Sequence, residues 1–208
     1  MHSSPYRYGF YARPDFDFSR AQAEVHDLLR RQYGLISGGL FMPHATVKGF
    51  FVSDAQPAQM IERLDAALDG WEAFTAYNNG VILMGATGLV VSVRDLPDGS
   101  PNPAWHALQD RAWAALEPLI APDCDFTPGD GHGRTGDNAF HAHFTLAMAD
   151  PPRRMLSELK AFVAPGGRLV GPPTIRIEAL HLYRFSADWQ GNWPQTIRWE
   201  LLNSWWRP

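Results

Sequence analysis

His141, His143 and Thr145 stand at alternate positions of FHAHFTLAMAD (residues 140–150), and the residues between them, Ala142 and Phe144, are apolar, as is Leu146. In an extended strand alternate side chains share a face, so the imidazoles and the hydroxyl would point one way and the apolar groups the other. PHATVKGFF, which begins at Pro43, repeats the pattern with His44 and Thr46 around Ala45. Eight histidines and eight threonines in 208 residues give about 0.3 His-x-Thr triplets by chance. Two of them, both in strand-like surroundings, exceed accident.

One histidine on such a face is more often a hydrogen-bonded structural group than a reactive one. A matched pair about half a chain apart suits a reaction in which one oxygen loses a proton while another gains one. Imidazole titrates near neutral pH and can act as base or as acid. A hydroxyl two residues along a strand shares its histidine's face and can donate to an oxygen on which charge develops. Such chemistry needs no metal or cofactor.

Two other readings fit parts of the pattern. His141-x-His143 on a strand can hold one metal ion, with His44 or His181 completing the set, as in a metal-dependent hydrolase or oxygenase. A carboxylate would be expected beside it, and no spacing fixes Asp137 or Asp150 there. A nucleotide-binding module without turnover is the third reading, and the completeness of both motifs weighs against it.

The elements that must carry these residues are legible from periodicity and punctuation. Residues 8–14 read as a strand ended by Pro14. Ser19 then reads as the N-cap of a helix that stops at Gly34. Residues 39–54 form the strand of the first motif, and residues 55–71 an amphipathic helix. The segments EAFTAYNNGVILMG and TGLVVSVRD read as two strands, and a helix runs from Pro103 to about Ile120. Residues 122–138 are rich in Gly, Asp and Pro without periodicity, which predicts a mobile segment or a lid. The second motif strand follows, then a helix over 151–164 and strands over 174–186 and 195–205. A strand-helix-strand-helix-strand-pair order, approximately repeated, predicts an α+β fold of two pseudo-symmetric lobes of antiparallel sheet, with helices outside and a cleft between. Residues 1–208 would form a single domain, with one motif in each half of the chain.

Composition bounds the partners. With 45% hydrophobic and 19% charged residues the chain can build a full core. A net charge of −4 disfavours a general grip on duplex DNA or an anionic membrane surface, while leaving room for a small phosphorylated ligand. Cys124 is the only cysteine, which excludes an internal disulfide and a Cys-based zinc site. The N-terminal residues lack the apolar stretch of a signal peptide, and the longest apolar run is too short and glycine-broken to span a bilayer. A cytoplasmic monomer is expected. GHGRTG (131–136) matches G-x-G-x-x-G formally, but it lacks the preceding strand and following helix that a dinucleotide site needs.

Two His-x-Thr motifs half a chain apart, a proline before the first, a helix after each, and closing strands LHLYRF and RWELL together resemble the 2H phosphoesterase superfamily. That superfamily includes 2′-5′ RNA ligase-like proteins and cyclic nucleotide phosphodiesterases. The resemblance covers most of the chain. It departs at Ala142, where the family often has proline, and at the additional His141. It implies His44, Thr46, His143 and Thr145 as the catalytic set. It also implies metal-independent chemistry on 2′,3′-cyclic phosphates or 2′-5′ linkages in a nucleotide or short oligonucleotide. Lys48 would continue the face of His44 and Thr46. Tyr11 would offer a ring to a base, although core packing is the commoner fate of such a tyrosine. His141, Arg184 and Arg134 complete the candidate substrate contacts.

Overall fold

The computed structural model describes residues 5–86, 88–122, 124, 132–133 and 139–207. Arg134, GHGRTG except His132 and Gly133, and most of the 122–138 segment lie outside the described residues.

The first strand, β1 (Tyr6–Pro14), leads directly into α1 (Phe16–Tyr33). The cap of this helix is Asp15 rather than Ser19. The Asp15 carboxylate accepts from the Phe18 amide at 2.9 Å and from the Arg176 amide at 2.7 Å. Ser19 lies inside the first turn, and its hydroxyl donates to the Pro14 carbonyl. One carboxylate thus satisfies an orphan helix donor and a strand donor together. Gly34, at φ 70°, closes the helix in the left-handed conformation that glycine adopts without strain.

The first motif strand is shorter than its sequence pattern predicts. Residues 37–39 form a 3₁₀ turn, and β2 (Ala45–Phe51) begins only after Pro43, which has no N–H for a ladder. Next come α2 (Pro57–Ala67), β3 (Phe74–Tyr77), β4 (Val81–Met84) and β5 (Gly88–Ser92). EAFTAYNNGVILMG, expected as one strand, divides at Asn78–Gly80 because its two parts pair with different neighbours. The Asn78 side chain donates to the carbonyls of Val170 and Pro172 and accepts from the Gly80 amide. Gly80 turns the chain at φ 87°. The remaining elements are α3 (Pro103–Leu116), β6 (His143–Ala147), α4 (Leu156–Val163), β7 (Thr174–Ser186) and β8 (Arg198–Trp206).

The fold is α+β, and all eight strands join antiparallel in the order β3-β7-β1-β2-β6-β5-β4, with β8 also on β7. The strands do not segregate by sequence half. β7, from the second half, pairs with β1 along nine residue positions, while the β4–β5 hairpin from the first half pairs with β6. The two motif strands are neighbours at the centre, joined through the register pair Ala45↔Phe144.

One face of the sheet carries the main core. Phe10, Ala12, Ala45, Val47, Phe144 and Leu146 from the strands meet Phe18 and Leu29 of α1, Met60 and Leu64 of α2, Trp105 and Leu108 of α3, and Leu159 of α4. Trp105 shows how closely this layer is tied to the sheet: its ring stands edge-on to Phe74 at 5.0 Å, and its indole N–H donates to the Val93 carbonyl. The alternate residues of the central strands are thereby turned to the opposite face, where the cavity lies.

Candidate active site

A cavity of about 830 Å³ opens on the uncovered face, within the range that takes a nucleotide-sized ligand. His44, Thr46, His143 and Thr145 all line it, together with His141 and Tyr11. Continuing the Ala45↔Phe144 register by one residue each way sets His44 opposite Thr145 and Thr46 opposite His143. The motifs therefore cross as an antiparallel pair, each histidine facing the other motif's threonine. The histidines fall on the diagonal of this pairing, where side-chain origins stand roughly 7–8 Å apart.

Both imidazoles are fastened in the same way. His44 donates its Nδ1–H to the Met42 carbonyl at 2.8 Å, and His143 donates its Nδ1–H to the His141 carbonyl at 2.7 Å. A carbonyl oxygen has no proton, so Nδ1 must carry it in each ring. The tautomer of the neutral ring is thus fixed, with the Nε2 lone pair left for a proton on the cavity side. His44 is held further by Phe41, stacked on it at 4.7 Å and 16°, and by Tyr11, edge-on at 4.7 Å.

Burial sets the charge of these rings. It pushes His44 down to about 4, with His143, His26 and Arg13 lowering it further against the Met42 bond. Burial also holds His143 below the ordinary imidazole value, opposed by its bond to the His141 carbonyl. His141 is pushed down to about 4, by burial first and then by His143 and Arg94. In all three rings burial therefore favours the uncharged form.

Two residues of α1, neither apparent in the sequence, support the second motif. The Gln22 amide and the His26 Nε2–H both donate to the Thr145 carbonyl, at 2.8 and 2.9 Å. The rim opposite is a tied loop: the Asp150 carboxylate accepts from the amides of Ile36 and Ser37 and from the Ser37 hydroxyl. Gly38 in this loop lies so close to β6 that a Cβ there would overlap the Leu146 carbonyl. Gly38→Ala is expected to lower the unfolding free energy by roughly 1–3 kcal/mol, because backbone must move against backbone. Urea denaturation of the variant and the parent measures this, and an unchanged midpoint would show that the rim yields freely.

Two predicted contacts lie elsewhere. Lys48 does not line the cavity. The β1–β2 register slips between Tyr8 and Phe10 and again between Phe10 and Tyr11, and these irregularities break the alternation that would have kept Lys48 beside Thr46. It is 2% exposed, with its ammonium 5.6 Å from the Phe51 ring. Arg184 does not line the cavity either. Tyr183 and Phe185 join Tyr11 in an aromatic cluster, so Arg184 between them points to the other face, where it pairs with Glu200 at 2.6 Å and covers Tyr6. Arg134 lies outside the described residues. Tyr11 reaches the cavity wall but is 3% exposed, part of a floor with Phe41, Phe50 and Trp193.

The ring of His141, without a role in the sequence pattern, meets the Ser92 hydroxyl through its Nε2 at 2.9 Å. Its ring lies 6.4 Å from that of His143. Among the described residues no group of three or more His, Cys, Asp or Glu is placed to hold a metal ion. No described helix is long and apolar enough to cross a membrane.

A central antiparallel sheet backed by helices, with two crossed His-x-Thr strands on its open face, defines the class of fold. The chain belongs to the 2′-5′ RNA ligase superfamily, whose family profile matches residues 18–189. Its fold is similar to that of the Thermus thermophilus protein TT0787, at TM-score 0.55 and 14% identity over 96% of this chain and 97% of that one. It is also similar to E. coli LigT complexed with 3′-AMP, at TM-score 0.52 and 14% identity over 98% and 99% of the two chains. For LigT complexed with NADP+ the values are 0.51 and 15%, over 99% of both. No curated protein matches the sequence significantly.

Proposed function

We propose that this chain is a metal-independent phosphodiesterase acting on 2′,3′-cyclic phosphates or 2′-5′ linkages in nucleotides or short RNA. The crossing of the two His-x-Thr strands supports the reading, because it brings His44, Thr46, His143 and Thr145 to the wall of one cavity. One neutral imidazole takes the proton of the attacking oxygen as the new P–O bond forms. The other, protonated, delivers its proton to the oxygen whose bond to phosphorus breaks. Thr46 and Thr145 donate to the non-bridging oxygens. The orientation of the substrate decides which imidazole begins as base. That LigT, of similar fold, has been crystallised with 3′-AMP and NADP+ supports a nucleotide-sized ligand.

The depressed basicity of both rings gives the reading a pH signature. The profile of kcat/KM reports the free enzyme, so its bell should be centred below 6.5, the ordinary imidazole value. The profile of kcat reports the complex, where a bound phosphate's negative charge favours imidazolium and moves the optimum upward. Turnover of a 2′,3′-cyclic nucleotide and a 2′-5′-linked dinucleotide, followed across pH in excess EDTA, tests both points. Activity that persists with an acidic kcat/KM optimum supports the proposal. Activity lost to EDTA and restored by a divalent metal would replace it with metal chemistry at His141 and His143.

A further inference from the structure

Arg94 is the only lysine or arginine among the described residues that line the cavity. It leaves the end of β5 beside His141, and topology alone brings the two together. Its guanidinium is fixed by a two-pronged bond to Asp95, Nε and Nη2 at 2.8 and 2.9 Å. Asp95 is fixed in turn, its amide donating to the Asn79 side chain and its carbonyl accepting from it. The Arg94 carbonyl accepts from the Asn102 amide at 2.8 Å. These bonds leave the outer edge of the guanidinium, Nη1 with the second Nη2 hydrogen, for another planar or tetrahedral oxyanion. His141 is anchored through Nε2 to Ser92, which leaves Nδ1 as a further contact.

The opposite end of the cavity is different. Tyr11, Phe41, Phe50 and Trp193 make it aromatic, and His44 belongs to that end. His141 precedes the first residue of β6 by two, and its ring lies 6.4 Å from the His143 imidazole, which sets the Arg94 end apart from that ring. A charge so placed is displaced from the phosphoryl group between the histidines, toward a second anionic group on the same molecule. Apolar Ile82 and Met84 of β4 also line the cavity.

We propose that Arg94 and His141 form a subsite for a second phosphate, so that the preferred substrate is a nucleotide bearing another phosphate besides the phosphodiester that reacts. The assignment rests on the phosphodiester reading, which seats the first phosphate between His44 and His143. Recognition is by charge and by the guanidinium fork, and it weakens with salt because Arg94 sits at the mouth, with 44% of its side chain exposed.

Calorimetric titration with adenosine 3′-monophosphate and adenosine 3′,5′-bisphosphate tests this without requiring turnover. The bisphosphate is expected to bind about ten- to a hundredfold more tightly, as one charge-assisted contact pair contributes. In Arg94→Ala, and in Arg94→Gln should alanine disturb folding, that ratio should fall to within about threefold. Equal binding of both nucleotides by the wild type, or a ratio that survives both substitutions, would overturn the subsite. So would failure of the bisphosphate to bind. Binding with the expected ratio but no turnover of any phosphodiester would leave the subsite standing and sink the catalytic reading instead.

Discussion

His44→Ala and His143→Ala are each expected to lower kcat by about a hundred- to ten-thousand-fold on whichever phosphodiester the wild type turns over. The symmetry of the site sets the expectation. Each ring is locked through Nδ1 to the carbonyl two residues before it, and each faces the opposite motif's threonine. Neither has a neighbour that could take its place, since His141 is held by Ser92 and His26 by the Thr145 carbonyl. Because the pair acts as a unit, the double variant should be little slower than the worse single one. His44→Ala also removes a ring packed between Phe41 and Tyr11, so its loss of activity must be read beside its melting temperature. His143→Ala, without an aromatic stack on its ring, is the cleaner test. A folded His143→Ala protein with wild-type kcat would reduce the second motif to a structural strand.

Acidification from about pH 6.5 toward 4 should cost this protein stability well before most of its carboxylates titrate. Burial lowers the basicity of His26, His44, His141, His143 and His181, the second, third and fifth of these to about 4. In the unfolded chain the same rings return to their ordinary 6.5. Between those values the unfolded state binds more protons than the folded one, so stability rises with pH. The contribution is therefore complete above 6.5 and is lost as pH falls through the folded values. Thermal unfolding followed from pH 8 to pH 4 should show a flat midpoint first and a steep decline below 6.5. His181→Asn removes one contributor away from the reacting groups and should shallow the decline. A midpoint independent of pH across that window would mean that these rings protonate in the folded state without cost.

The repeated motif and the α+β class were legible because they depend on residue type at short spacing. Alternation along FHAHFTLAMA was enough to place His143 and Thr145 on one face and Phe144 on the other. Lys48 shows where that reasoning stops: a bulge changes the face of every later residue, and it is set by the neighbouring strand. The parity of β7 likewise gives the cavity side to Tyr183 and Phe185, which leaves Arg184 between them on the other face. Arg94, Gln22 and His26 reach the site only through strand order and helix docking, and nothing near them in the chain marks them. The cap at Asp15 was missed because an aspartate before Phe16 looks like the tail of a strand until its partners Phe18 and Arg176 are in place.

Interleaving of strands from the two halves governs how the chain reaches its native state. β1 leaves the ribosome well before its long partner β7, which begins at Thr174. At about 5–20 residues per second, the edge of β1 waits on the order of 10–30 s for that partner. The β4–β5 hairpin must wait in the same way for β6. Neither half of the chain can close its own share of the sheet, so a ribosome-bound fragment presents unpaired edges and a half-covered apolar face. Folding is therefore dominated by distant contacts, which slows it and prolongs the exposure of those edges.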